Sequence, residues 1–140
     1  MMNIRPFQES DRSRVIELWH LCGLVAPGND PDRDIDRKVA FQPDWLFVGE
    51  QDGKILATVM AGYEGHRGWI NYLAVDPECR RKGYGRAMMA HAEKSLFDFG
   101  VPKINLQVRA GNEEVRAFYE AIGYRFEDRY DFGKRNAVSP

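Results

Sequence analysis

The stretch that decides the fold is Trp69-Ile70-Asn71-Tyr72-Leu73-Ala74-Val75-Asp76-Pro77-Glu78-Cys79-Arg80-Arg81-Lys82-Gly83-Tyr84-Gly85-Arg86. Its first seven residues form an apolar and aromatic run that reads as a strand, and Asp76-Pro77 ends it. Past Gly83 and Gly85 the apolar positions turn helical: Met88, Ala92, Leu96 and Phe99 recur at intervals of four, four and three until Gly100 and Pro102 stop them. Ile104, Leu106 and Val108 then alternate, which predicts a strand over Ile104 to Arg109 with one apolar face. Strand, helix, strand at this spacing implies that the strands at 69–75 and 104–109 lie parallel, joined by a right-handed crossover.

Upstream, Trp45-Leu46-Phe47-Val48 and Ile55-Leu56-Ala57-Thr58-Val59-Met60 flank Asp52-Gly53, the signature of a hairpin with a two-residue turn. Residues 2–7 predict a first strand. Val15, Ile16, Leu18, Trp19 and Cys22 predict an amphipathic helix stopped by Gly23. Breakers over Ala26–Pro31 predict a surface loop, followed by a short charged helix from about Asp34 to Phe41. Downstream, a helix over Glu113 to Ile122 buries Val115, Phe118, Tyr119 and Ile122, and Tyr124 to about Phe132 reads as a last strand. The order β-α-α-β-β-β-α-β-α-β predicts an α/β (α+β) fold. Its central sheet is mixed and mostly antiparallel, of six or seven strands, flanked by four helices.

The chain has 140 residues, 44% of them hydrophobic, which is the size and material of one domain; we expect it over residues 1–135, with 136–140 a frayed tail. A formal net charge of −1 gives no global field to draw nucleic acid or an anionic membrane, so any basic site must be local. No apolar run approaches a membrane span, and Met1–Pro6 has no signal-peptide core, so a cytoplasmic location is expected. Two cysteines and three scattered histidines predict neither a disulfide framework nor a metal site.

Chemistry concentrates in Arg80-Arg81-Lys82-Gly83-Tyr84-Gly85-Arg86, between a strand end and a helix start. A helix N-terminus offers unpaired N–H groups and a positive dipole end, and glycines let a phosphate approach the backbone. Four cations in seven residues supply the counter-charge of a diphosphate, although the same turn also reads as a solvated basic surface. A phosphate loop of the NTPase type would need Gly-Lys followed by Ser or Thr, and Gly83 is followed by Tyr84. The dinucleotide fingerprint would need a small residue where Met88 stands.

With Arg80, Gly83 and Gly85 in this pattern, the chain resembles the GNAT superfamily of acyl-CoA-dependent N-acyltransferases, whose motif is Arg or Gln, two residues, Gly, one residue, then Gly or Ala. The resemblance extends upstream to Leu73-Ala74-Val75-Asp76-Pro77. Downstream it takes in Asn112 to Tyr124, with Phe118-Tyr119 and Gly123-Tyr124, and in all it covers Trp69 to Phe126. Within the superfamily the chain is similar to small single-domain bacterial acetyltransferases of the ribosomal-protein or peptide acetylating type.

The resemblance implies acetyl-CoA as co-substrate, no metal, and direct acetyl transfer to a primary amine of a peptide, protein or small molecule by a monomer or homodimer. It gives the backbones of Leu73, Ala74 and Val75 to the thioester carbonyl and pantetheine. The pyrophosphate falls to the N–H groups of Arg81, Lys82, Gly83, Tyr84, Gly85 and Arg86, with the side chains of Arg80, Arg81 and Lys82 at the rim. Asn112 matches the asparagine that touches the cofactor arm, and a helix N-cap accounts for it equally well. Tyr119 matches the tyrosine beside the sulfur that acts as general acid toward the thiolate; a core aromatic is the alternative.

The general base is not legible. Glu64 and His66, in the turn before the strand at 69–75, are candidates acting through water, and both also read as surface residues. Asp30, Asp32 and Asp34 are candidates for an acidic acceptor side, or simply a charged loop. Cys79 has no His or acid partner in the sequence and is read as structural. Two rival functions keep part of the pattern: a non-catalytic acyl-CoA sensing module, against which Tyr119 argues, and a nucleic-acid-binding domain, against which the net charge argues.

Overall fold

A computed structural model describes residues 2–137, and the chain divides after Gln107 into two compact units. The first holds a five-stranded sheet in the order β1-β2-β3-β4-β5: β1 Asn3–Pro6, β2 Leu46–Gln51, β3 Lys54–Tyr63, β4 Gly68–Val75 and β5 Ile104–Leu106. Three antiparallel pairings link β1 to β4, and β4 pairs parallel with β5. The unit also contains α1 (Arg12–Leu21), α2 (Pro31–Phe41) and α3 (Tyr84–Phe99), while α4 (Glu113–Ala121) belongs to the second unit. The mixed, mostly antiparallel sheet and four helices are as expected, with five strands where six or seven were predicted.

The hairpin forms because Asp52 and Gly53 both adopt left-handed backbone, φ 53° and 78°, the pairing a two-residue turn of matching twist requires. Gln51 faces Lys54 across it. The alternation along β2 then assigns its faces. Leu46 and Val48 join Val15, Leu18, Trp19 and Ile35 in a core under α1 and α2. Phe47 points the other way and meets His91 of α3 edge-on at 4.6 Å between ring centroids. Gly49 shares that face, and a Cβ there would lie 2.5 Å from Met2 Sδ and 3.0 Å from Met88 Sδ of α3, so glycine leaves room for both methionines against the sheet. With both faces covered, the central strands read as continuous apolar runs rather than alternating ones.

Helix ends follow local chemistry. Gly23 (φ 68°) and Gly100 (φ 107°) close α1 and α3, and Leu24 N and Val101 N donate back to Trp19 O and Leu96 O at 2.9 and 3.1 Å. Helix α2 starts at Pro31, three residues before the predicted Asp34. Proline pre-sets the first helical φ, and the Asp30 carboxylate accepts from Arg33 N at 3.3 Å. The breakers that predict a loop are thus partly a cap.

Two strand predictions need correction. The strand expected over Ile104 to Arg109 stops at Leu106, and no strand forms over Tyr124 to Phe132 among the described residues. There Tyr130 and Phe132 are 92% and 91% exposed, so the aromatic alternation buries no face. β propensity describes fit to a pleated, half-buried surface, and without burial it commits the backbone to nothing. The predicted tail at 136–140 lies mostly outside the described residues.

Candidate active site

On β4 the ladder to β3 slips. Thr58 faces Ala74 and Met60 faces Asn71, so Tyr72 and Leu73 together oppose Val59. Two residues against one is a β-bulge, which leaves a backbone group out of the ladder and increases the local twist. Tyr72 carries φ 52°. That conformation costs a non-glycine residue about 1–3 kcal/mol and persists only where the surroundings over-determine it.

The surroundings do. The Trp19 ring stacks on the Tyr72 ring at 3.7 Å between centroids and 9° between planes. Tyr72 Oη donates to Asp34 Oδ2 at 2.5 Å. Trp19 Nε1 donates to Thr58 Oγ1 at 2.9 Å, and that hydroxyl donates to Tyr72 O, also at 2.9 Å. Burial and the adjoining Asp34 carboxylate push the Tyr72 phenol well above its ordinary range. Past the bulge, Ala74 and Val75 pair with Thr58 and Ala57 on one side. On the other side the parallel ladder to β5 covers only Gly68–Ile70, so Leu73, Ala74 and Val75 run beyond its end.

The strand then enters a turn with a fixed base. Asp76 is buried; its carboxylate accepts from Glu78 N at 2.9 Å and from Arg14 Nη2 at 2.6 Å, and its own N–H donates to Leu56 O at 2.8 Å. The Glu78 N–H first, and then the Arg14 guanidinium, hold that carboxyl below its usual range. Beyond this base Arg81 and Gly83 take left-handed φ values of 65° and 81°, and Gly83 becomes the N-cap of α3 with no side-chain cap hydrogen bond. Among the described residues, the first backbone donors of α3, from Tyr84 to Arg86, are therefore left without a side-chain capping acceptor. Arg80, Arg81, Lys82 and Arg86 are exposed around them, and none is drawn into an ion pair among the described residues. This combination fits a diphosphate. The Tyr84 side chain does something else: its hydroxyl donates to Gln51 Oε1 at 2.8 Å and ties the helix start to the β2–β3 hairpin.

The turn at 64–67 gives its candidates structural work. The Glu64 carboxylate accepts from His66 N and Arg67 N, each at 2.5 Å, and these backbone donors lower its pKa. A carboxylate so engaged is a weaker base. His66 is exposed, with Arg67 Nη1 donating to its carbonyl at 3.0 Å. The three candidate acidic residues are also occupied: Asp30 caps α2, Asp32 lies 3.3 Å from Arg12, and Asp34 holds Tyr72 and, at 2.7 Å, Arg37.

In the second unit Asn112 Oδ1 accepts from Val115 N at 3.2 Å, so the N-cap account of this residue holds. Tyr119 is buried on α4, its ring edge-on to Phe118 at 5.1 Å and to Tyr124 at 5.7 Å. Burial pushes its phenol up to about 12.

Sequence reasoning misses the set around Tyr72 and also Lys38. The partners of Tyr72 come from 14 and 38 residues away, and no local spacing announces them. Lys38 did leave a signal, because it stands three residues after Ile35 and so shares the buried face of α2. Its Nζ donates to Ala61 O and, at 2.9 Å, to Gln42 Oε1, and desolvation lowers its pKa to about 8.

Comparison with known proteins agrees with this fold. Residues 12–124 match the family model described as the acetyltransferase (GNAT) family. An acetyltransferase of Yersinia enterocolitica is 44% identical over 137 residues, 98% of this chain and 97% of that protein. Among solved structures, a PaiA N-acetyltransferase from Thermoplasma acidophilum in complex with coenzyme A superposes with TM-score 0.79 at 17% identity, covering 93% of each chain. A predicted acetyltransferase from Clostridium acetobutylicum with acetyl-CoA gives TM-score 0.75 at 19% identity, covering 96% of each. The family match crosses both units and the Yersinia relative is covered almost end to end: this chain belongs to the GNAT family of acetyltransferases.

Proposed function

We propose that this chain takes the acetyl group of acetyl-CoA and passes it directly to a primary amine, with residues 1–135 acting as one catalytic domain. The observation that carries the reading is a single continuous segment, Leu73–Arg86. It presents a bulged strand running past its parallel neighbour, and then an uncapped helix N-terminus among four exposed cations. The solved relatives bound to acetyl-CoA and coenzyme A support the choice of co-substrate.

In this reading the α3 donors take the pyrophosphate, with Arg80, Arg81 and Lys82 at its rim, and the backbone of Leu73–Val75 lines the thioester. The neutral amine attacks the acyl carbon, a C–N bond forms, the C–S bond breaks and the sulfur gains a proton while the nitrogen gives one up. Tyr119 is the assigned donor. With its phenol at about 12 it stays protonated at any working pH. Full transfer of that proton to a thiolate of ordinary pKa about 8.5 would be uphill by more than three orders of magnitude. The hydroxyl therefore works as a hydrogen bond that strengthens as charge builds on sulfur, and the proton given up by the nitrogen is the one the departing thiolate takes up.

Glu64 is bound up in its own turn, which favours an acceptor needing little help. An α-amino group, pKa about 8, is already partly neutral near pH 7, whereas a lysine at about 10.4 is not. The deciding experiment is thiol release from acetyl-CoA against α-amino peptides, lysine peptides, polyamines and amino sugars. Turnover is expected, fastest on α-amino acceptors. Tight acetyl-CoA binding with no turnover on any of them would make the chain a sensing module instead.

A further inference from the structure

Resting on the acetyl-transfer reading above, we infer that Tyr72 is a positioning residue: Trp19 of α1, Asp34 of α2 and Thr58 of β3 clamp it in the left-handed conformation that bulges β4, and this clamp aims the backbone of Leu73–Val75 at the acyl group. Each contact controls a different part of Tyr72. The Trp19 ring, parallel at 3.7 Å, fixes the plane of the side chain. Asp34, accepting at 2.5 Å, fixes its tip. Thr58 Oγ1, donating at 2.9 Å, fixes its carbonyl and hence the peptide plane that carries the Leu73 N–H. The Thr58 hydroxyl cannot rotate away without leaving the buried Trp19 Nε1, which donates to it at 2.9 Å.

The network explains why a tyrosine occupies a position where glycine would carry no backbone strain. A glycine would permit φ 52° but would equally permit the flat, paired strand, in which the register with β3 would not slip. The tyrosine selects one conformer because its side chain finds partners only when the strand is bulged. Two helices and a strand thereby bear on one peptide plane, next to the strand residues that extend beyond β5.

The test compares Tyr72→Ala with Tyr72→Gly, using the best acceptor from the amine panel, isothermal calorimetry with acetyl-CoA, and thermal melts. If Tyr72 positions the backbone, Tyr72→Ala loses at least tenfold in kcat, since it keeps the strain and loses the clamp. Tyr72→Gly regains at least threefold over Tyr72→Ala, because glycine reaches the required φ without strain. Acetyl-CoA affinity stays within threefold of wild type in both. A glycine variant no more active than the alanine variant is what mere loss of packing gives, and it overturns the inference, as does wild-type kcat in both. Where either variant fails to melt cooperatively, Tyr72→Phe and Asp34→Asn replace them: each should lose at least threefold in kcat at unchanged acetyl-CoA affinity, with the double variant no worse than the poorer single. Wild-type kcat in both overturns the inference. A wild-type protein that turns over no amine overturns the transfer reading itself, and this inference falls with it.

Discussion

Tyr72 and Arg81 both hold a left-handed backbone that side chains disfavour, φ 52° and 65°, and they stand nine residues apart on one segment. Around Tyr72 the ring, the hydroxyl and the carbonyl are answered by the protein: a ring, a carboxylate and a hydroxyl meet them from three elements. Around Arg81 nothing answers. The side chain is exposed, the following helix begins without a side-chain cap, and the neighbouring cations are unpaired among the described residues. Strain at the bulge is held by the fold, whereas the turn leaves its cations exposed, and in the reading proposed above a pyrophosphate meets them. In that reading the contrast separates a preorganised part of the site from a part that acetyl-CoA would complete.

The largest expected effect concerns the group that belongs to neither region. Tyr119→Phe keeps the ring among Phe118 and Tyr124 and removes the hydroxyl, so packing should survive while kcat falls by about 10²-fold where thiolate departure limits the rate. Because the phenol is pushed up to about 12, wild type should show no loss of kcat from this group between pH 6 and 9. Equal kcat for the two proteins across that range, with acetyl-CoA affinity measured in parallel, would leave Tyr119 a packing residue and put the chemistry back into the two regions compared above.

Next comes the turn. Gly83 has φ 81°, and among the described residues a Cβ there meets no atom within 4 Å beyond its own chain neighbours and helix backbone, so the fold leaves room. Valine at this position should therefore act through backbone strain and through the space a phosphate needs, weakening CoA binding at least tenfold, about 1.4 kcal/mol. Calorimetry on a folded Gly83→Val protein with unchanged CoA affinity would show that the turn is a solvated surface after all, and the comparison with the bulge would collapse.

How far these regions could be read from sequence follows from the range of the interactions that make them. The turn was legible because everything it needs is consecutive: cations, glycines and a helix start within seven residues. So were the hairpin at Asp52-Gly53 and the helix stops at Gly23 and Gly100, each a matter of local φ. The bulge was not, since Trp19, Asp34 and Thr58 reach it from α1, α2 and β3, and its register slip leaves no mark on the order of residues. Glu64 shows the same limit in reverse. Its place in the turn before the strand at 69–75 makes it a candidate base or a surface carboxylate, and only the coordinates show it accepting from two backbone N–H groups. Tyr124 to Phe132 misled because alternation predicts a strand only where a sheet is there to bury one face.

The smallest effect sharpens the comparison with a second internally answered group. Lys38 Nζ is buried on α2 against Ala61 O and Gln42 Oε1, and Gln42 Nε2 in turn donates to Tyr63 O at 3.2 Å. Desolvation lowers its pKa to about 8, against an unfolded value near 10.4. Between those values the unfolded chain binds more protons than the folded one, so this group makes stability rise with pH from about 8 to about 10.4 and adds no slope below that window. Lys38→Met keeps the apolar stem and removes the titration. Urea unfolding of both proteins at pH 7, 8, 9 and 10 should show wild type gaining about 2 kcal/mol on the variant between pH 8 and 10, with the other titrating groups common to both and cancelling in the difference. Parallel stability curves would mean that the two acceptors hold the ammonium as firmly as water does, and Lys38 would then be an ordinary cation that happens to be covered.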